Sequence, residues 1–308
     1  MFFQVIFPVV LLIAAGYLTA RFRVIDKAAV AALSSITFIL FMPALLFRAM
    51  AKTEFANLSL TPALVYFGAT LPLLLLTVAY QRFRGQSSSS GATVALTIGF
   101  SNLVMMGIPI VRLAFGEAGL AVLLTVITFH SLLLLTSMTL VAELEGEFTF
   151  GAFLKSIRGA LLHPVIVPIL LGLLWSFVSQ ITGFAFPSSI DKALEVLSGA
   201  AAPLSLVLLG ASLAQFGLKE SFPEASKLVF VKLLIHPMLV FGLGYLMQVD
   251  KLVLAVLVVG ACMPSGANPY LFAQRYNTKL GPVSAAIGLS TILAVPLLAV
   301  VLHYLGVG

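Results

Sequence analysis

Two short stretches carry the residue types that could bind a solute inside an apolar chain. One is Pro264, Ser265, Gly266, Ala267, Asn268 and Pro269; the other is Ser101, Asn102, Gly107, Ile108 and Pro109. Each places prolines, glycines or amides in the middle of a hydrophobic run. Proline removes a helix hydrogen bond, and an unpaired backbone group in hydrocarbon costs several kcal/mol. A break at that depth therefore needs a compensating function. Interrupted helices expose half-helix N-termini, whose N–H groups and partial positive charge suit an anion. Asn268 can donate to a carboxylate and accept from water or a cation. Small residues at a rigid helix–helix packing point, or a half-helix cap in the case of Asn102, are the competing readings.

Ionisable residues are few. Lys232 and His236 stand four apart on one helix face, so they can pair with an anionic substrate or carry a proton. Alternatively, Lys232 snorkels to the interface and His236 bonds a backbone carbonyl beside Pro237. His130, in mid-span, is a candidate proton carrier or a satisfied interior histidine. Sodium held by carbonyls and Ser or Asn side chains is a third route to coupling, so proton, sodium and uncoupled transport stay open, and no metal set is readable. Glu143 and Glu195 fall near span ends. No cofactor is expected.

The elements that must position these residues are membrane spans. The 308 residues are 61% hydrophobic and 9% charged, with mean hydropathy +1.14, which indicates an all-α polytopic membrane protein. The excess positive charge reads as loop bias rather than nucleic-acid binding. The single Cys262 excludes an intrachain disulfide framework. Ten segments of roughly 20 residues can be placed, near 2–20, 28–48, 62–81, 91–111, 118–141, 160–180, 190–214, 225–247, 251–274 and 281–304. Loops after the odd-numbered spans hold Arg21, Arg23, Lys27, Arg82, Arg84, Lys155, Arg158, Lys219, Lys227, Arg275 and Lys279. The other side holds Arg48, Lys52, Arg112, Lys192 and Lys251. That bias puts the odd loops in the cytoplasm and both termini outside. The first span reads as uncleaved. Phe148, Phe150, Phe153, Leu154 and Ile157 suggest a segment on the inner membrane face, or an ordinary loop with a few anchors.

The two halves repeat. Pro8 and Gly16 match Pro164 and Gly172, Pro72 and Tyr80 match Pro237 and Tyr245, Gly107–Pro109 lies opposite Ala267–Pro269, and Gly119 lies opposite Gly281. Five spans per repeat invert the second copy, a construction typical of secondary transporters. The expected domains are a first repeat over 1–142, a cytoplasmic linker over 143–159 and a second repeat over 160–308. The paired breaks should meet near the membrane centre. A channel should show polar stripes along several spans. An intramembrane enzyme needs a nucleophile with a base, a metal set or paired acids. The chain has no H-E-x-x-H, and its only aspartates, Asp26, Asp191 and Asp250, lie near loops.

At "SNLVMMGIP" and "CMPSGANPYLFAQRYN" the sequence resembles the auxin efflux carrier family, in its short bacterial branch. The motif residues are Asn102 seven before Pro109, then Pro264 and Gly266 followed by Phe272, Ala273, Tyr276 and Asn277; "MPALLF", Met42–Phe47, fits as well. The resemblance implies a fold of the bile-acid-symporter and NhaA kind, with crossing fourth and ninth spans. It implies a scaffold of spans 1, 2, 6 and 7 and a transport domain of spans 3–5 and 8–10. It further implies elevator-like movement of small organic anions such as malate or malonate, a homodimer, and a bacterial inner-membrane location.

Overall fold

The computed structural model describes residues 7–52, 59–143, 158, 162, 165–184, 187–214 and 221–305. The amphipathic segment expected around Phe148–Ile157, most of the 143–159 linker, and Pro164 lie outside the described residues. Regular structure among the described residues is helical. The helices are α1 (Phe7–Arg21), α2 (Lys27–Ala51), α3 (Thr61–Phe83), α4 (Ser88–Gly99) and α5 (Leu103–Ala142). After these come α6 (Ile166–Thr182), α7 (Ser188–Leu213), α8 (Phe222–Leu246), α9 (Lys251–Cys262), α10 (Asn268–Arg275) and α11 (Leu280–Tyr304). Six of them, α2, α3, α5, α7, α8 and α11, are long and apolar enough to cross a membrane; α1, α6 and α9 are shorter and apolar. The chain is consistent with a polytopic membrane protein.

Three helices carry a π turn, at Thr37–Phe41, Leu103–Gly107 and Val231–Ile235. Each ends two residues before a proline, Pro43, Pro109 or Pro237. A proline ring collides with the carbonyl four residues earlier and supplies no N–H. Those carbonyls belong to Ile39, Met105 and Leu233, all inside the π turns, where a wider ring relieves the conflict. In α5, where a loop is expected between residues 111 and 118, the chain turns at one residue instead. Gly116 has φ +66° and ψ −158°, a conformation open essentially to glycine alone. Arg112 pairs with Glu117 across this turn at 2.7 Å.

Helix α1 packs on α7, and the C-terminal half of α2 packs on α6 and α7. Helix α3 packs on α4 and α8, α4 on α5, α9 on α5 and α8, and α8 on α11. The α1–α7 contact is backbone to backbone. A Cβ at Gly16 would strike the Val207 carbonyl, and one at Gly210 would strike the Ile13 carbonyl. Small residues are what permit such approach between membrane helices. Helix α4 is buried on nearly every face. Two of its hydroxyls are spent internally, Thr93 on the Ser89 carbonyl and Thr97 on the Thr93 carbonyl.

Candidate functional site

The chain leaves helical geometry at Phe100–Asn102, between α4 and α5, and at Met263–Ala267, between α9 and α10. The two breaks lie against each other. Ser101 and Ser265 form an isolated antiparallel bridge. Its hydrogen bonds run from Asn102 N to the Pro264 carbonyl and from Gly266 N to the Phe100 carbonyl, both 2.8 Å. Gly266 fits closely here, since a Cβ would sit 3.1 Å from the Phe100 ring and push it aside by a few tenths of an ångström.

Half-helices leave orphan carbonyls at their C-termini and orphan amides at their N-termini. At this junction several of them find a specific partner. The Thr97 carbonyl, in the last turn of α4, accepts from Ser265 Oγ at 2.6 Å, and Ser265 N donates to Ser290 Oγ at 3.1 Å. The Ala261 carbonyl, in the last turn of α9, accepts from Lys232 Nζ at 2.8 Å. At the N-terminus of α5, Asn102 Oδ1 accepts from Met105 N at 3.3 Å. Helix α10 begins at Asn268 with Pro269 in its first turn and no side-chain cap.

Lys232 is fully buried. It does not snorkel. Besides the Ala261 carbonyl, its ammonium donates to Ser101 Oγ at 2.7 Å and to His236 Nδ1 at 3.1 Å. Three donors thus meet three acceptors. Thr70 Oγ1 spends its proton on the Tyr66 carbonyl at 2.6 Å. It must therefore accept from His236 Nε2, 2.9 Å away. That fixes the proton of a neutral imidazole on Nε2 and leaves Nδ1 free to accept from Lys232. Tyr66 is also fully buried, and its hydroxyl donates to Ser101 Oγ at 2.8 Å. None of the ammonium's acceptors is an anion, and among the described residues no Asp or Glu is buried.

The remaining sequence candidates fall at different depths. Ser101, Ser265, Pro264 and Gly266 are buried in the bridge itself, Gly107, Ile108 and Pro109 in the first turns of α5, and Pro269 in α10. Asn102 and Asn268 are half-buried and Ala267 is exposed. His130 is buried in α5, with its ring 4.4 Å from that of Phe100 and 6.0 Å from that of Tyr66, and its Nε2 has no hydrogen-bond partner. Tyr66, Thr70, Thr97 and Ser290 belong to the cluster but did not stand out in the sequence. The one available signal was that Tyr66 and Thr70 lie four apart in an apolar run. Among the described residues no group of three or more His, Cys, Asp or Glu could hold a metal ion. A separate cavity of about 640 Å³ lies among α2, α5 and α7, with Arg48, Lys52, Arg112, Glu117 and Glu195 in its wall.

The sequence matches the model of the family described as membrane transport protein over residues 1–302. The chain belongs to this family, that of the auxin efflux carriers. It is 27% identical to an "Uncharacterized transporter" of Methanothermobacter thermautotrophicus, over 97% of this chain and 98% of the relative. It is 28% identical to a protein of Rhizobium meliloti named "Putative malonate transporter", over 92% and 89% of the two chains. It is 23% identical to "Auxin efflux carrier component 8" of Arabidopsis thaliana, over 48% and 41%. This family and these relatives are transporters rather than enzymes, and the chain is a membrane transporter.

Proposed function

We propose that this transporter is a secondary carrier of small organic anions, mono- or dicarboxylates, which bind beside the crossing of the two broken helices. One observation carries the reading: the Lys232 ammonium is fully buried at that crossing among neutral acceptors only. Burying an unpaired charge costs several kcal/mol, and an opposite charge offsets that cost. A carboxylate arriving at the crossing supplies it. Two half-helix N-termini, at Asn102–Leu103 and Ala267–Asn268, face the same junction and favour the same sign of charge. The name of the Rhizobium meliloti relative, to which the chain is similar over most of its length, fits a dicarboxylate.

In this reading α1, α2, α6 and α7 form a scaffold, and α3–α5 with α8–α11 form the part that moves past it in an elevator motion. Most helix packing lies within each set, with α5 touching α2, α6 and α7 between them, which supports that division. Gly116 parts α5 into two spans and the bridge joins the broken pairs, which supports ten spans in two inverted repeats. A homodimer in a bacterial inner membrane, with both termini periplasmic, completes the proposal.

The test is binding of malonate and related mono- and dicarboxylates to purified wild type and Lys232→Met. Methionine keeps the length and apolar stem of lysine and removes the charge. Affinity should fall by at least tenfold in a protein that still unfolds cooperatively, with the midpoint recorded alongside because Met also leaves the Ala261 carbonyl and His236 Nδ1 without their donor. Unchanged affinity in a folded Lys232→Met protein would refute the assignment.

A further inference from the structure

Away from the crossing, two cavities run into one another. The first, about 510 Å³, is an apolar groove between α1, α7 and α11; Val10, Ile13, Tyr17, Leu213, Ile292 and Val295 are among its walls. The second, about 400 Å³, is formed by the turn between α1 and α2, with Arg21, Arg23, Asp26 and Lys27 around it. Arg21 and Ala214 line both. The carboxylate in the second cavity is already engaged, since Asp26 Oδ1 accepts from Ala29 N at 2.7 Å as the cap of α2. Among the described residues Arg21, Arg23 and Lys27 form no ion pair.

An apolar slot that ends in three unpaired cations matches one kind of molecule. We propose that this composite groove binds an anionic phospholipid, with an acyl chain along α1 and α11 and the phosphate among Arg21, Arg23 and Lys27. Basic pockets between membrane helices are the usual recognition device for such headgroups. Tyr17, about 39% exposed, stands where the apolar wall gives way to the basic one, the depth at which an amphipathic ring sits best. A soluble anion would use the basic cavity alone and leave the groove unfilled. A zwitterionic lipid would fill the groove but gain nothing from an excess of positive charge. The assignment is independent of the substrate reading, because no groove residue belongs to the crossing.

The experiment compares retention of phosphatidylglycerol and of phosphatidylcholine with the same acyl chains, by native mass spectrometry of the purified protein. The unfolding midpoint is followed in the same mixtures. Wild type should hold phosphatidylglycerol at least tenfold more tightly than phosphatidylcholine. The combined variant Arg21→Gln, Arg23→Gln, Lys27→Gln, altered at exposed positions only, should lose that preference. Ala14→Trp, which fills the groove and keeps every charge, should lose retention of both lipids there. Equal retention of the two lipids by wild type would overturn the proposal. So would an Ala14→Trp protein that binds as wild type does, or displacement of the lipid by glycerol 3-phosphate at equal concentration.

Discussion

Ser101 Oγ receives two hydrogen bonds, from the Lys232 ammonium and from the Tyr66 hydroxyl. Removing that oxygen differs from removing one of its donors. Ser101→Ala leaves the Tyr66 hydroxyl and one N–H of the Lys232 ammonium unpaired in the interior, at roughly 1–3 kcal/mol each and more for the charged one. Tyr66→Phe takes away a donor whose acceptor keeps another, and should cost about 1 kcal/mol. Denaturant titration in detergent should therefore rank Ser101→Ala well below Tyr66→Phe, and similar losses would contradict the network. At this scale the sequence was readable for charge and for helix-breaking residues. Asn102, Ser265, Gly266 and the pair Lys232 and His236 stood out because polar or helix-breaking groups are costly in hydrocarbon. Tyr66, Thr70 and Ser290 stayed hidden. Hydroxyls in membrane helices usually satisfy themselves on a carbonyl one turn back, as Thr77 does on Leu73, and only tertiary placement gives them another role.

Elements explain how Lys232 comes to face the crossing. It lies in the π turn that precedes Pro237, and one extra residue in a turn rotates the rest of the helix by about 100°. Pro237→Ala removes the reason for the wide turn. We expect several-fold weaker anion binding with an unfolding midpoint that is unchanged or raised, since a normal ladder can re-form; binding equal to wild type would mean the turn does not aim Lys232. The α1–α7 contact answers differently. Gly16→Ala forces the Ile13–Gly210 and Gly16–Val207 backbones apart, and should cost about 1–3 kcal/mol, as overpacking does, without changing anion affinity once the protein is folded. Thermal unfolding and binding measured on one preparation separate the two effects. The six helices of membrane-spanning length were legible from length and hydropathy. Π turns were not, because a shift from four to five residues leaves the apolar pattern almost intact. The proline two residues beyond each is the sign to look for. Gly116 was visible as a residue but not as a whole connection.

For the molecule as a whole, accessibility at the crossing is graded. Ser265 is 1% exposed and hydrogen-bonded on both its N and Oγ, whereas Asn268 is half-buried beside exposed Ala267. With Cys262 replaced, Asn268→Cys should react with a small polar thiol reagent and be protected by substrate. Ser265→Cys should stay unreactive in this conformation. Labelling of Ser265→Cys at the rate of Asn268→Cys would mean that the bridge opens freely.

The buried ammonium also has an electrical consequence. Helix α8 belongs to the set that moves in the proposed elevator motion, so Lys232, while protonated, would carry one positive charge through the membrane field in each half-cycle. One elementary charge crossing 100 mV is worth about 2.3 kcal/mol. A monoanion would cancel the travelling charge, so the loaded step would ignore voltage while the empty return would feel it. A doubly charged substrate would leave both steps voltage-sensitive, and because −1 and +1 travel in opposite directions, one sign of potential would favour both. Uptake into proteoliposomes under potassium-diffusion potentials should therefore respond to voltage differently for mono- and dicarboxylates. Lys232→Met should shift that response by one charge in whatever transport it retains.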